Sequence, residues 1–166
     1  MIDDEISARA EALLTAAREA GVMIVTCESC TGGLIGAALT AIAGSSDVVE
    51  GGFITYANAA KVRVGVPEAL LEAHGAVSEE VARAMAEQAR ERSGAAPNLV
   101  SVAVTGVAGP GGGSEAKPIG LVHFAAAAAG ATVHRERRFG DIGREGVRKA
   151  SVLEALNLLD GLVTPE

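Results

Sequence analysis

The sequence predicts a single α/β domain of three layers, α/β/α, around a mixed, mostly parallel sheet. Three observations carry that expectation. Short β-branched runs alternate with helical apolar periodicity in the order βαβα–αβ–ββ–α, which calls for helices on a sheet. Glycines fall where elements should end, at Gly21, Gly44 and Gly130. Two consecutive strand-like runs late in the chain form a hairpin, so one strand must run against the others.

Residues 5–20 repeat Ile6, Ala10, Leu13, Leu14 and Ala17 at helical spacing, and Gly21 stops the helix. Val22 to Thr26 is β-branched and apolar, as a buried strand requires. A polar elbow follows over residues 27–33, then a helix from Leu34 to Ile42. Gly51 to Tyr56 reads as a strand whose two glycines mark an edge or a close approach. Asn58 is placed as the N-cap of a short helix containing Lys61 and Val64. Pro67 opens a helical turn over 67–73. Ser78, Glu79 and Glu80 start a longer helix to about Arg92, with acids suited to its first turn. Leu99 to Val104 is a strand, and residues 105–118 are an irregular glycine-rich loop. Ile119 to Ala128 and Thr132 to Phe139 make the hairpin, although the alanine run 125–129 also suits helix. Arg144 to Leu159 is the last helix.

The 166 residues fit one domain, 1–166, without a linker or repeat. Such a length buries enough surface to need no disulfide or metal staple. Alanine (33) and glycine (21) make up about a third of the chain, so its elements should pack closely. The net charge of −7 and a pI near 5.0 speak against nucleic-acid binding, which leaves a basic footprint. No apolar run reaches the roughly 18 residues of a membrane span. The acidic start, Met1-Ile2-Asp3-Asp4-Glu5, is unlike a signal peptide, and the expected compartment is the cytoplasm.

The elbow, Cys27-Glu28-Ser29-Cys30-Thr31-Gly32-Gly33, leads a strand into a helix start. Helix starts carry free N–H groups and a partial positive charge, which stabilise a developing oxyanion. A hydroxyl at Ser29 would sit in that field as a nucleophile; the plainer alternative makes Ser29 or Thr31 an N-cap. Lys61, in the first turn of its helix, should have a depressed pKa and serve as a base, unless it is a solvated surface lysine. Tyr56, the only tyrosine, offers a phenolic hydrogen bond or edge packing. Thr105 and Gly106 follow a strand end, where ligands bind in α/β sheets, but the loop lacks the Gly-Lys-Ser/Thr of a Walker A motif. Cys27-x-x-Cys30 has the spacing of a redox pair without its usual flanks, and the three histidines are scattered without metal-ligand spacing. The basic group Arg135, Arg137, Arg138, Arg144, Arg148 and Lys149 is a candidate phosphate site or a solvated face.

Four runs carry a resemblance: residues 28–33, Thr55 to Lys61, His74 to Glu79, and Thr105 to Gly113 with Lys117-Pro118. Over about residues 5–160 the chain resembles the C-terminal domain of the competence/damage-inducible CinA proteins, whose stand-alone form is a nicotinamide-nucleotide amidase. The resemblance implies hydrolysis of nicotinamide mononucleotide to nicotinate mononucleotide and ammonia, without metal or organic cofactor, and favours a homodimer. It makes Ser29 the nucleophile, Lys61 its base, and Tyr56 a supporting catalytic residue. It assigns Glu28, Cys30, Thr31, Gly32, Gly33, Thr105, Gly106, Gly109, Gly111 and Arg144 to substrate binding. Here Cys27 replaces a common Ala, Ala57 a common Ser and Ala59 a common Glu. The family's Gly-Asp-Arg before the last helix appears here as Gly140-Asp141-Ile142-Gly143-Arg144, so its arginine carries to Arg144 across a two-residue insertion, with Arg148 and Lys117 as competitors for the phosphate. The alternative expectation is a regulatory module of the same family that binds a nucleotide without turning it over.

Overall fold

The computed structural model describes residues 1–164; the last two residues of the expected 1–166 domain lie outside the described residues. The elements are α1 (Asp4–Ala20), β1 (Met23–Glu28), α2 (Leu34–Thr40), β2 (Val49–Ile54), α3 (Asn58–Val64), α4 (Glu68–His74), α5 (Glu79–Arg92), β3 (Leu99–Gly106), β4 (Leu121–Ala128), β5 (Ala131–Arg138) and α6 (Gly143–Val163). A 3-10 turn, Ser45–Asp47, precedes β2.

The strands form one sheet in the order β2-β1-β3-β4-β5. β1 pairs in parallel with β2 and β3, and β4 runs antiparallel to both β3 and β5. Four of the five strands therefore point one way, as the mixed, mostly parallel expectation requires. Side chains alternate across the sheet and build a core on each face. On one face Ile24, Val102, Val104, Phe124 and Ala126 pack against Ile6, Leu13 and Leu14 of α1, Ile35 and Leu39 of α2, and Leu156 and Leu159 of α6. On the other, Val25, Ala103, Ala125 and Ala127 meet Val81, Met85 and Ala89 of α5. Each fully buried aliphatic side chain contributes about 1.5–3 kcal/mol of transfer free energy.

The alanine run is strand, because β4 is covered on both faces and its small side chains let helices approach from both sides. Tertiary packing overrides the helical propensity of Ala there. Both readings of the Gly51-Gly52 pair hold. β2 is an edge strand, and a Cβ at Gly52 would run into the Thr26 hydroxyl of β1.

Four boundaries differ in ways that bear on the site. β1 continues through Glu28, so the elbow begins at Ser29 rather than Cys27. β2 stops at Ile54, which leaves Tyr56 beyond the strand. β3 runs to Gly106, so the glycine loop starts at residue 107. Ala57, not Asn58, occupies the N-cap of α3, in extended conformation and without a side-chain cap bond; Asn58 is the first helical residue.

Candidate active site

The parallel strands β1 and β3 end side by side, and the elbow after β1 projects from that edge. The Ser29 amide donates to Val104 O of β3 at 3.0 Å, which fixes the elbow to the sheet. Gly32 closes the turn by donating to Ser29 O at 3.0 Å. Gly32 and Gly33 have φ of 59° and 96°, the left-handed region that favours glycine.

Glu28 organises the helix behind the elbow. Its carboxylate is buried and accepts hydrogen bonds from Thr31 Oγ1 (2.6 Å) and from the amides of Gly33 (3.1 Å), Ile35 (3.0 Å) and Gly36 (2.8 Å). These are orphan donors at a helix start, and an anion there is favoured by the peptide dipoles. Two expectations are corrected by this. Glu28 does not line the cleft, because it points into α2. The amides at the start of α2 are not waiting for an oxyanion, because Glu28 already occupies them. The elbow amides of Cys30 and Thr31 have no hydrogen-bond acceptor in another residue among the described residues.

Lys61 comes from α3 and is the largest side chain that is almost fully buried, at 1% exposure. Its Nζ lies 3.0 Å from Ser29 Oγ, 2.7 Å from Thr55 O and 3.2 Å from Tyr56 O. Burial pushes its pKa below the ordinary lysine value, because the ammonium loses its hydration. The sequence argument expected the same direction from a first-turn position. The structure replaces that cause, since Lys61 lies toward the end of a seven-residue helix and desolvation is the dominant effect.

Ser29, Cys30, Tyr56 and Lys61 open onto one cleft of about 210 Å³. Its far walls are Ala76 and Val77 from the segment before α5, Thr105 and Gly106 at the end of β3, Ala108, Asn58 and Arg144. Thr105 Oγ1 donates to Ala76 O at 2.8 Å and so holds that wall in place. Arg144 straps the mouth, donating to Tyr56 Oη (2.8 Å) and to Gly109 O (2.9 Å).

Two further expected site residues, Thr31 and Gly111, lie away from the cleft wall. Thr31 is buried beneath the elbow on Glu28. Gly111 lines a separate groove with Pro110 and Asp141. Of the phosphate candidates, Arg144 reaches the cleft, Arg148 donates to Thr31 O behind the elbow, and Lys117 donates to His74 O outside it. Most of the other basic residues are spent in ion pairs: Arg135 and Arg137 on Glu154, Arg138 on Glu136, and Lys149 on Asp3. The thiols of Cys27 and Cys30 are free, and burial pushes each up to about 11, which keeps them protonated at neutral pH.

The sequence reading missed Ala76, Val77, Ala108 and Asn58 as cleft walls. The His74–Glu79 run carries part of the family resemblance, but its place depends on the Thr105 contact, 29 residues away in sequence. Among the described residues, no helix is long and apolar enough to cross a membrane. No group of three or more His, Cys, Asp or Glu side chains is arranged to hold a metal ion among them.

Comparisons with known proteins show which family the chain belongs to. The CinA C-terminal domain profile matches residues 6–163. A CinA-like protein of Synechococcus sp. (strain RCC307) is 55% identical over 152 residues, covering 90% of this chain and 36% of that protein. A CinA-like protein of Anaeromyxobacter dehalogenans (strain 2CP-C) is 52% identical over 141 residues, covering 84% of this chain and 33% of its own length. The chain thus spans about a third of the length of the curated relatives it matches. Among solved structures, a competence/damage-inducible protein of Agrobacterium tumefaciens superposes with a TM-score of 0.94 at 49% identity, covering 99% of both chains. A CinA superfamily protein of Escherichia coli superposes at 0.82 with 35% identity, over 98% of this chain and 90% of that one.

Proposed function

The chain belongs to the CinA C-terminal domain family, and from that membership and the cleft we propose that it is an amidohydrolase that converts nicotinamide mononucleotide to nicotinate mononucleotide and ammonia. The observation that carries this reading is the 3.0 Å contact between the buried Lys61 Nζ and Ser29 Oγ at the base of the cleft.

The chemistry follows from that contact. A neutral Lys61 amine uses its two N–H groups on the carbonyls of Thr55 and Tyr56 and turns its lone pair to the Ser29 hydroxyl. Ser29 Oγ attacks the carboxamide carbon while Lys61 takes the hydroxyl proton. The C–O bond forms and the carbonyl becomes a tetrahedral oxyanion. The amide of Cys30, the elbow residue that lines the cleft next to Ser29, is the donor offered to it. Lys61 then gives its proton to the nitrogen, the C–N bond breaks, and ammonia leaves a nicotinoyl ester on Ser29. Water, deprotonated by the same amine, hydrolyses the ester. Arg144 at the mouth offers the cation that a mononucleotide phosphate requires.

The test is direct. Purified protein incubated with nicotinamide mononucleotide should release ammonia and nicotinate mononucleotide in equal amounts. Saturable binding without ammonia release would overturn the amidase reading and leave a nucleotide-binding module.

A further inference from the structure

Resting on the amidase reading, we propose that Arg148 is a positioning residue whose charge, carried through two peptide groups of the elbow, strengthens the Cys30 amide as the oxyanion donor. Arg148 lies on α6, and its Nη2 donates to Thr31 O at 3.1 Å, across 117 residues of sequence. The peptide that carries Thr31 O also carries the Gly32 amide, which donates to Ser29 O at 3.0 Å. The peptide that carries Ser29 O also carries the Cys30 amide, and Cys30 lines the cleft with Ser29. The order is therefore guanidinium, peptide 31–32, peptide 29–30, cleft. A charged donor makes the stronger hydrogen bond, and each bond in a chain polarises the next. Drawing electrons from Thr31 O makes the Gly32 N–H a better donor, and the Gly32 bond does the same for the Cys30 N–H.

The surroundings of Arg148 support this role. The side chain is half-buried, and its Nε is wholly buried with no hydrogen-bond partner. No carboxylate pairs with it among the described residues. The guanidinium thus brings an uncompensated positive charge to the back of the elbow, where partial burial weakens solvent screening. Its field reaches the elbow residue itself: burial raises the Cys30 thiol, and the Arg148 charge is one of the pulls that oppose it. Arg148 is not a wall of the cleft, so it acts on the reaction through the elbow and not by touching substrate. An oxyanion forms only after Ser29 attacks, so the benefit belongs to the transition state and leaves substrate binding unaltered.

The experiment compares the wild type with Arg148→Gln, which keeps a neutral donor and removes the charge, and with Arg148→Lys, which restores the charge. Steady-state ammonia release from nicotinamide mononucleotide gives kcat and KM, and NMR of 15N-labelled protein follows the Cys30 amide proton. Arg148→Gln should lower kcat about fivefold to tenfold at unchanged KM and move the Cys30 amide proton upfield. Arg148→Lys should recover most of both effects. An unchanged Tm shows that the fold is kept, and Arg148→Met, with its apolar stem, serves the same comparison should Arg148→Gln unfold. Unaltered kcat, a rise in KM alone, a loss that Arg148→Lys does not recover, or a loss with the Cys30 signal unmoved each overturns the role of Arg148. Ammonia release by the wild type in those cases leaves the amidase reading standing. Absence of ammonia release by the wild type overturns the amidase reading, and this inference with it.

Discussion

The Lys61 amine lies 3.0 Å from the Ser29 hydroxyl and reaches it across 32 residues of sequence, from α3 to the elbow after β1. Its two carbonyl partners, Thr55 and Tyr56, carry no charge and no carboxylate bonds the amine, so burial outweighs the opposing pull of Cys27 and Cys30 and lowers its pKa. In the proposed mechanism this amine is the base, held without a buried ion pair. Replacing Lys61 with Met keeps the length and removes the base. Turnover should fall by a factor on the order of 10³ or more, measured as steady-state ammonia release. Lys61→Arg should be equally inactive, because a guanidinium stays protonated.

The depressed Lys61 pKa gives the reaction a direction in pH. Protonated Lys61 cannot accept the Ser29 proton, so kcat/KM should rise with pH and level off once the amine is neutral. The midpoint should lie below the ordinary value of 10.5, because burial lowers it. The same shift adds folding stability as pH rises from the folded toward the unfolded lysine value, since the unfolded chain binds the extra proton there. A pH–rate profile checks the first statement, and a midpoint at or above 10.5 would contradict it.

Glu28 bears on stability more than on chemistry. Glu28→Gln keeps the shape but turns an amide NH2 toward backbone donors of α2. It should cost about 2–3 kcal/mol in urea unfolding, the scale of hydrogen bonds to a charged group. Activity should fall only as far as the elbow loosens. A stable variant whose KM alone rises would mean that Glu28 touches substrate.

Arg144 should separate phosphorylated from unphosphorylated substrates. Arg144→Ala should raise KM for nicotinamide mononucleotide about tenfold or more and change the riboside much less. Arg148→Ala should not discriminate the two, since its guanidinium is turned to Thr31 O behind the elbow. Parallel kinetics on both substrates check this, and equal losses on both would remove the phosphate role.

Much of this site was legible in the sequence because it is local. A β-branched run, a hydroxyl and two glycines before a helical pattern place Ser29 at a strand end without any knowledge of the fold. The direction of Glu28 was hidden by one boundary: extending β1 by two residues sets which way position 28 faces, and period-two alternation then decides its partner. The N-cap expected at Asn58 falls on Ala57 because, at a short helix, a shift of one residue exchanges cap and first turn. The 74–78 wall rests on the distant Thr105–Ala76 contact, which no local pattern reports.

Single-turnover kinetics of Ser29→Ala against the wild type, with nicotinamide mononucleotide in both, tests the central claim most directly. The account expects retained binding and a rate of ammonia formation lower by a factor on the order of 10³ or more. Ammonia formation by Ser29→Ala at close to the wild-type rate would contradict it.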